Sequence, residues 1–405
     1  MNEKQLSIGI IREGKTPPDT RVSLSPTQCA KISQYPEIDL KVQHSPIRCF
    51  SDQYYSNLSV PMTDDISAQD VLLGVKEVPI DQLLANKTYC FFSHTIKKQA
   101  YNRKLLLAIL EKNIRLIDWE VLTNESGKRV IAFGRFAGMV GAHNGIMTYG
   151  MRTGQFSLKR MHECHDYAEA KEIYKNTSLP AMKIVLTGTG RVGQGAEEVL
   201  LDMGIRKVEP KAFLEQEFDE AVFTQLICSD YAAKENGAEF NKKDFYTNPK
   251  TYKSIFAPYT KVADVMINGI YWDNDAPAFF TLDEMQAADW NIKTIADVTC
   301  DIAPVSSIPS TLKASTIADP IFGFDPNTGK EAAPFQENII DMMTIDNLPN
   351  ELPRDASASF GSQFIEHVLP EFLKEESAML ERATVAENGA LGKHFAYLQD
   401  YVDGE

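Results

Sequence analysis

The chain has 405 residues, 43% apolar and 24% charged, more than one hydrophobic core usually organises and too apolar for long disorder. Its net charge of −15 argues against a nucleic-acid partner and an anionic membrane surface, leaving acidic substrates to any local cluster of cations. Six dispersed cysteines without a CxxC pair, no leader-like start and no membrane-length apolar run point to a cytoplasmic protein with reduced thiols.

Residues 1 to about 135 alternate strands and helices, the pattern of a parallel sheet covered on both faces. Strands are expected at Leu6–Ile11, Val71–Val75, Tyr89–Ser93 and Ile114–Asp118, with a helix near Gln99–Glu111. Ser25, Pro26 and Gln28 form a helix start, with a capping side chain, a proline for the first turn and a glutamine to close the box. Polar residues gather at the strand ends, where open α/β sheets place ligands: Arg12 and Arg21, Lys76 and Glu77, His94 with Lys97, and Asp118 with Glu120. Any one of them alone reads as a solvated residue. Together they supply cations for carboxylates, and Lys76 and His94 could exchange protons near neutral pH once partly buried.

From about Phe133 to Gln155 small residues recur at helical spacing, among them Gly138, Gly141, Ala142 and Gly145. This suits equally a helix joining two domains and an ordinary core helix. HECH, His162–His165, lacks a third ligand and reads as a solvated helix face, so no metal is expected.

The strongest signal is AMKIVLTGTGRVGQGAEEVLLDM, Ala181–Met203, read as buried strand, glycine turn and helix. Gly188, Gly190 and Gly193 form GxGxxG: the first allows the tight turn, the second lets backbone approach a pyrophosphate, the third lets the helix pack on the strand. Thr189, Arg191 and Val192 complete the turn, and free N–H groups at the helix start would receive phosphate. Glu209, 19 residues after Gly190, stands where an acid accepts hydrogen bonds from a ribose and disfavours NADP. Lys207 and Lys211 could offset that, so NAD and NADP both stay open. A charged segment follows over about 211–250, then strands at Val262–Ile267 and Thr294–Val298, a turn-rich stretch from about Thr316, and an apolar helix around Phe360–Leu373. The expected division is 1–139 with 319–405 as the substrate domain and 140–318 as the dinucleotide domain.

These landmarks resemble the alanine dehydrogenase and transhydrogenase family, most closely its saccharopine branch and the lysine–2-oxoglutarate reductase half of a bifunctional enzyme. The resemblance rests on REGKTPPDTRVSLSP (Arg12–Pro26), GVKEVP (Gly74–Pro79), FSHTIKKQ (Phe92–Gln99), IRLIDWE (Ile114–Glu120), RVIAFGRFAG (Arg129–Gly138), LTGTGRVGQGA (Leu186–Ala196), APYTKVADVMINGIYW (Ala257–Trp272) and DNLPNELP (Asp346–Pro353). It implies an α/β fold of two Rossmann-like doubly wound domains with a cleft between them, the C-terminal helices returning to the first. It further implies Lys76 and His94 as an acid–base pair, Arg21 as a carboxylate-binding arginine with Glu77 beside the lysine, Asp301 as a catalytic aspartate, and Ile267 and Asn268 against the nicotinamide. Arg12, Lys97 and Arg135 are further candidates for substrate carboxylates.

The implied reaction is NAD(P)-dependent condensation of lysine with 2-oxoglutarate to saccharopine, or its reverse. Two departures stand out: IAPVSSIPST after Asp301 replaces a glycine-rich stretch of the relatives, and the chain ends at Glu405 without a saccharopine-cleaving half, as a stand-alone enzyme would. The rivals are an alanine dehydrogenase deaminating a small amino acid and a non-catalytic dinucleotide sensor, and a homo-oligomer stays open.

Overall fold

The computed structural model describes residues 5–404, which fall into two units, one of residues up to Phe133 together with Pro353 onward, the other Gly134–Leu352. In the first unit β1 (Leu6–Ile10), β2 (Ile38–Gln43), β3 (Met62–Thr63), β4 (Val71–Leu73), β5 (Thr88–Phe91) and β6 (Arg115–Asp118) are parallel. The chain runs from β1 outward to β2 and β3, then returns to pair β4 on the other side of β1 and continues through β5 to β6. The sheet therefore changes direction between β1 and β4, and carboxyl ends at such a point leave a crevice for ligands. Ser25 opens the helix Pro26–Ile32 with the expected box, its backbone N–H donating to Gln28 Oε1 at 2.9 Å.

The tail rejoins this unit. Thr384–Glu387 lies antiparallel to β6, and Gln363 on the helix Pro353–Gln363 accepts from the Ala132 N–H at 3.0 Å. Phe360 stacks on Phe133 with centroids 4.6 Å apart and meets Trp119 edge-on at 5.5 Å, forming an aromatic core beneath the ends of β5 and β6.

The second unit holds β7 (Met182–Thr187), β8 (Arg206–Lys207), β9 (Ala221–Leu226), a hairpin of β10 (Ala232–Lys234) and β11 (Tyr252–Ser254), β12 (Val265–Asn268), β13 (Thr294–Asp297), β14 (Ile321–Asp325), β15 (Lys330–Ala332) and β16 (Ile340–Met343). Apart from the hairpin they form one sheet in the order β15-β14-β16-β13-β12-β7-β9-β8, with β14 antiparallel to both its neighbours. Residues 319–352, expected in the returning tail, add three strands here instead, because Ile340, Met342 and Met343 are buried beside β13. β9 lies in the stretch read as a charged segment; its AVFTQL is almost wholly buried.

The helix Gly134–Thr153 is a core helix of this unit, with fourteen buried residues. It crosses the helix Arg191–Asp202 where both carry glycine: a Cβ on Gly138 would collide with the Val192 carbonyl, and one on Gly195 with the Arg135 carbonyl. That close approach accounts for Gly138, whereas Gly141 and Gly145 are small because they lie against Val298, just past β13, and Ala296 on it. HECH is not a helix face: its first two residues end the 3-10 turn Met161–Glu163, and His162 turns toward the buried Glu351 at 3.4 Å. No helix among the described residues is long and apolar enough to cross a membrane.

Candidate active site

Glu13, Lys76, Glu77 and His94 stand at the carboxyl ends of β1, β4 and β5, beside the change of direction in the first sheet. Glu13 accepts from the backbone N–H of Val75 at 2.7 Å and of Lys76 at 2.9 Å, fixing the chain as it leaves β4. Trp119 Nε1 holds the Gly74 carbonyl at 2.9 Å from the other side. Burial, reinforced by the Arg21 charge, lowers the Lys76 ammonium to about 8, and burial with the Asp19 charge raises the Glu13 carboxyl also to about 8. His94 takes a left-handed backbone, φ 56°, and lies with Nδ1 3.6 Å from Glu77. Burial holds its pKa below the ordinary imidazole value, with Glu77 pulling the other way. Glu77 also meets Lys15 Nζ at 3.1 Å, yet among the described residues neither of its buried carboxylate oxygens has a partner in hydrogen-bond geometry. Such a carboxylate beside two basic groups favours their protonated forms.

The expected carboxylate binders are arranged differently. Arg21 is buried and forks onto Asp19, Nε to Oδ1 at 3.0 Å and Nη2 to Oδ2 at 2.6 Å, with its guanidinium 4.3 Å from the Phe133 ring centre. Lys97 pairs with Glu120 at 3.2 Å. Arg12 lines a separate hollow of about 230 Å³, with Asp64, Asp65 and Asp81, whose lining excludes Lys76 and His94. Arg135 belongs to the second unit and is forked onto Glu198 at 2.8 and 2.6 Å, since the close helix crossing sets those side chains together. Asp301 is also in the second unit, partly exposed after the left-handed Cys300. The buried acid at the end of β13 is Asp297, which accepts from Asn268 Nδ2 at 2.9 Å, the Cys300 N–H at 3.1 Å and Thr311 Oγ1 at 2.6 Å.

The glycine turn follows β7. Gly188 has φ 94°, and a Cβ there would lie 2.6 Å from the Gly269 carbonyl oxygen; one on Gly193 would collide with the Gly188 carbonyl. Gly190 has open space before it, and Gly188, Thr189 and Gly190 border a cavity of about 430 Å³. A pyrophosphate needs this cradle of bare backbone at a helix start, so these residues fit a dinucleotide. Arg191 and Val192 are outside the lining, Val192 carrying the carbonyl against Gly138. Ile267 and Asn268 are fully buried, and the residues that reach the cavity after β12 are Gly269, Ile270 and Tyr271.

Glu209 is misplaced for a ribose. It follows β8, which pairs with the outer side of β9, so the strand beside β7 is β9. The cavity wall on that side is Leu226 to Ser229, faced by Lys242. A two-residue strand with both side chains exposed can serve only as an edge, whereas the buried six-residue β9 can sit inside the sheet.

Two mostly parallel sheets, one with a buried cluster of ionisable side chains and the other with a glycine turn between strand and helix, define an α/β protein of Rossmann-like domains. Residues 9–140 match the family described as "Alanine dehydrogenase/PNT, N-terminal domain", and that stretch is a domain of this kind. The chain is 28% identical over 410 residues to the mitochondrial alpha-aminoadipic semialdehyde synthase of Mus musculus, covering 88% of this chain and 44% of that protein. It spans less than half the length of that relative, and of the Arabidopsis thaliana synthase it matches at 28% identity over 98% of this chain and 42% of the other. The saccharopine dehydrogenase [NAD(+), L-lysine-forming] of Yarrowia lipolytica is 24% identical, over 89% of this chain and 90% of the other. Among solved structures an L-alanine dehydrogenase shares the fold with a TM-score of 0.66 at 14% identity, covering 98% of this chain and 99% of that one. These relatives support an oxidoreductase of the alanine dehydrogenase and saccharopine dehydrogenase kind.

Proposed function

We propose that the chain is an NAD(P)-dependent oxidoreductase that condenses L-lysine with 2-oxoglutarate to saccharopine, or runs the reverse reaction. The observation that carries this reading is Lys76, its ammonium lowered to about 8 beside Glu77 and His94. In the condensing direction the substrate amine must lose a proton before it attacks the 2-oxo carbon, and neutral Lys76 Nζ takes that proton. The departing hydroxyl must gain one, and the protonated lysine or His94 gives it. Glu77 keeps the positive charge on whichever of the two holds it, and Glu13 keeps Lys76 in place through the backbone. Lys97, half exposed and held by Glu120 at 3.2 Å, would turn to a substrate carboxylate on the same edge, whereas Arg21 stays with Asp19. Gly188 to Gly190 and Gly269 to Tyr271 would hold NAD or NADP, which supplies the hydride chemistry when bound. The name of the Yarrowia lipolytica relative, L-lysine-forming, supports lysine chemistry in particular.

The test is cofactor absorbance with NADH and NADPH in parallel, using lysine plus 2-oxoglutarate against pyruvate plus ammonia. Turnover with the first pair alone is the expected result. Turnover with pyruvate and ammonia would replace it with alanine dehydrogenase chemistry, and cofactor binding without turnover in any mixture would replace it with a sensor.

A further inference from the structure

His94 is held in a backbone conformation that a histidine does not choose. β5 ends opposite Asp118, the last residue of β6, and the chain then passes through Ser93 and His94 into the 3-10 turn Thr95–Lys97. His94 at φ 56° and Lys98 at φ 52° flank that turn, both left-handed. There the Cβ of an L residue crowds its carbonyl oxygen, so the conformation persists only where the surroundings impose it. Here they do so through Asp118. Its Oδ2 accepts the Ser93 N–H at 3.0 Å and the Ser93 hydroxyl at 2.5 Å, while its Oδ1 accepts the Glu120 N–H at 2.7 Å. Ser93 Oγ in turn accepts the Thr95 N–H at 3.2 Å and lies 2.7 Å from Thr95 Oγ1. The residues on both sides of His94 are thus tied to one carboxylate, and Ser93, Thr95 and Asp118 are wholly buried.

Burial lifts the Asp118 carboxyl to about 6, with its bonds from Ser93 and Glu120 pulling it back, so at neutral pH both its oxygens are acceptors. Its charge faces Glu120 just beyond its own strand and Tyr397 of the tail, whose hydroxyl donates to the Ile96 carbonyl at 3.2 Å. The imidazole itself faces Glu77, Lys76, Lys97 and Glu120. We infer that Asp118 is a positioning residue: through Ser93 it fixes the left-handed turn at His94 and so keeps the imidazole 3.6 Å from Glu77. Asp118 does this without touching substrate, by denying His94 the freedom to swing into water. A proton carrier displaced by about an ångström loses much of its rate advantage. The inference rests on the reading of His94 as a proton-exchanging group.

The experiment follows the His94 imidazole itself, by NMR titration of protein carrying isotope-labelled histidine, on wild type, Ser93→Ala and Asp118→Asn. Turnover of lysine plus 2-oxoglutarate is measured alongside. His94→Asn assigns the signal among the seven histidines. Ser93→Ala deletes one hydroxyl and keeps the backbone bond to Asp118, so it carries the test if Asp118→Asn does not fold. In wild type His94 is expected to titrate below ordinary imidazole, because burial lowers it. Released from the brace it regains water, and its midpoint should rise toward the ordinary value in both variants. Turnover should fall by roughly tenfold in Ser93→Ala and roughly a hundredfold in Asp118→Asn, with NADH affinity unchanged. A midpoint that stays put or falls in a folded variant, or turnover within about twofold of an active wild type, would overturn the inference. If the midpoint rises as expected while wild type turns over no lysine plus 2-oxoglutarate, Asp118 still positions His94 and it is the proposed reaction that falls.

Discussion

At the carboxyl ends of β1, β4 and β5 the first unit concentrates ionisable side chains: Lys76, Glu77 and His94 lie in one another's fields, Glu13 lies in those of Asp19 and Arg21, and burial has moved the pKa of Glu13, Lys76 and His94. At the carboxyl ends of β7 and β12 the second unit withdraws side chains, so that Gly188, Gly190 and Gly269 leave backbone facing a cavity. One edge gathers groups whose proton affinities burial has shifted, the other leaves bare backbone beside open space. The first should therefore tolerate small changes of shape and respond to changes of charge, and the second should do the reverse.

Several substitutions would break or sharpen that contrast. Lys76→Met should cut turnover by about a thousandfold, the scale of a lost general base, with NADH affinity unchanged in a fluorescence titration; a loss under about tenfold would take Lys76 out of the proton steps. Gly138→Ala, a single methyl with no charge, should cost about 3 kcal/mol in urea unfolding because it meets the Val192 carbonyl, and a cost under about 1 kcal/mol would mean that the helices can part. Glu77→Gln should leave the fold intact and move the acid limb of the kcat/KM profile to lower pH. The sign follows from charge: Glu77 raises the proton affinity of both Lys76 and His94, so without it the basic forms appear earlier as pH rises. A limb moving to higher pH would contradict this assignment. The smallest effect belongs to Glu209→Gln, which should leave the ratio of NADH to NADPH affinity within about twofold, since an exposed carboxylate outside the cavity acts only through screened charge.

What could be read in advance divides along the same line. GxGxxG was legible because each glycine answers a local demand, and Ser25 with Gln28 because a capping box spans four residues. Lys76 and His94 were legible as polar residues at strand ends. Counting from the glycines to Glu209 assumes a sheet order, and order is set by pairing between distant segments: β9 takes the place beside β7 that β8 is too short to hold. Arg135 reads, with Arg12, Arg21 and Lys97, as a cation available to a carboxylate, and the close crossing of two helices pairs it with Glu198. Glu13 stood in the quoted REGK, but its partners are backbone N–H groups 62 and 63 residues away.

A chain of buried hydrogen bonds runs across the ends of β7, β12 and β13: Thr187 to Asn268, Asn268 to Asp297 and Ser307, and Thr311 to Asp297. The loop with IAPVSSIPST is thus riveted at Cys300, Ser307 and Thr311, while Ile302 and Val305 at its crest stand exposed. Such a loop behaves like a replaceable bit in a fixed chuck. Evolution can rewrite its crest without disturbing the glycine turn after β7, provided the rivets are kept.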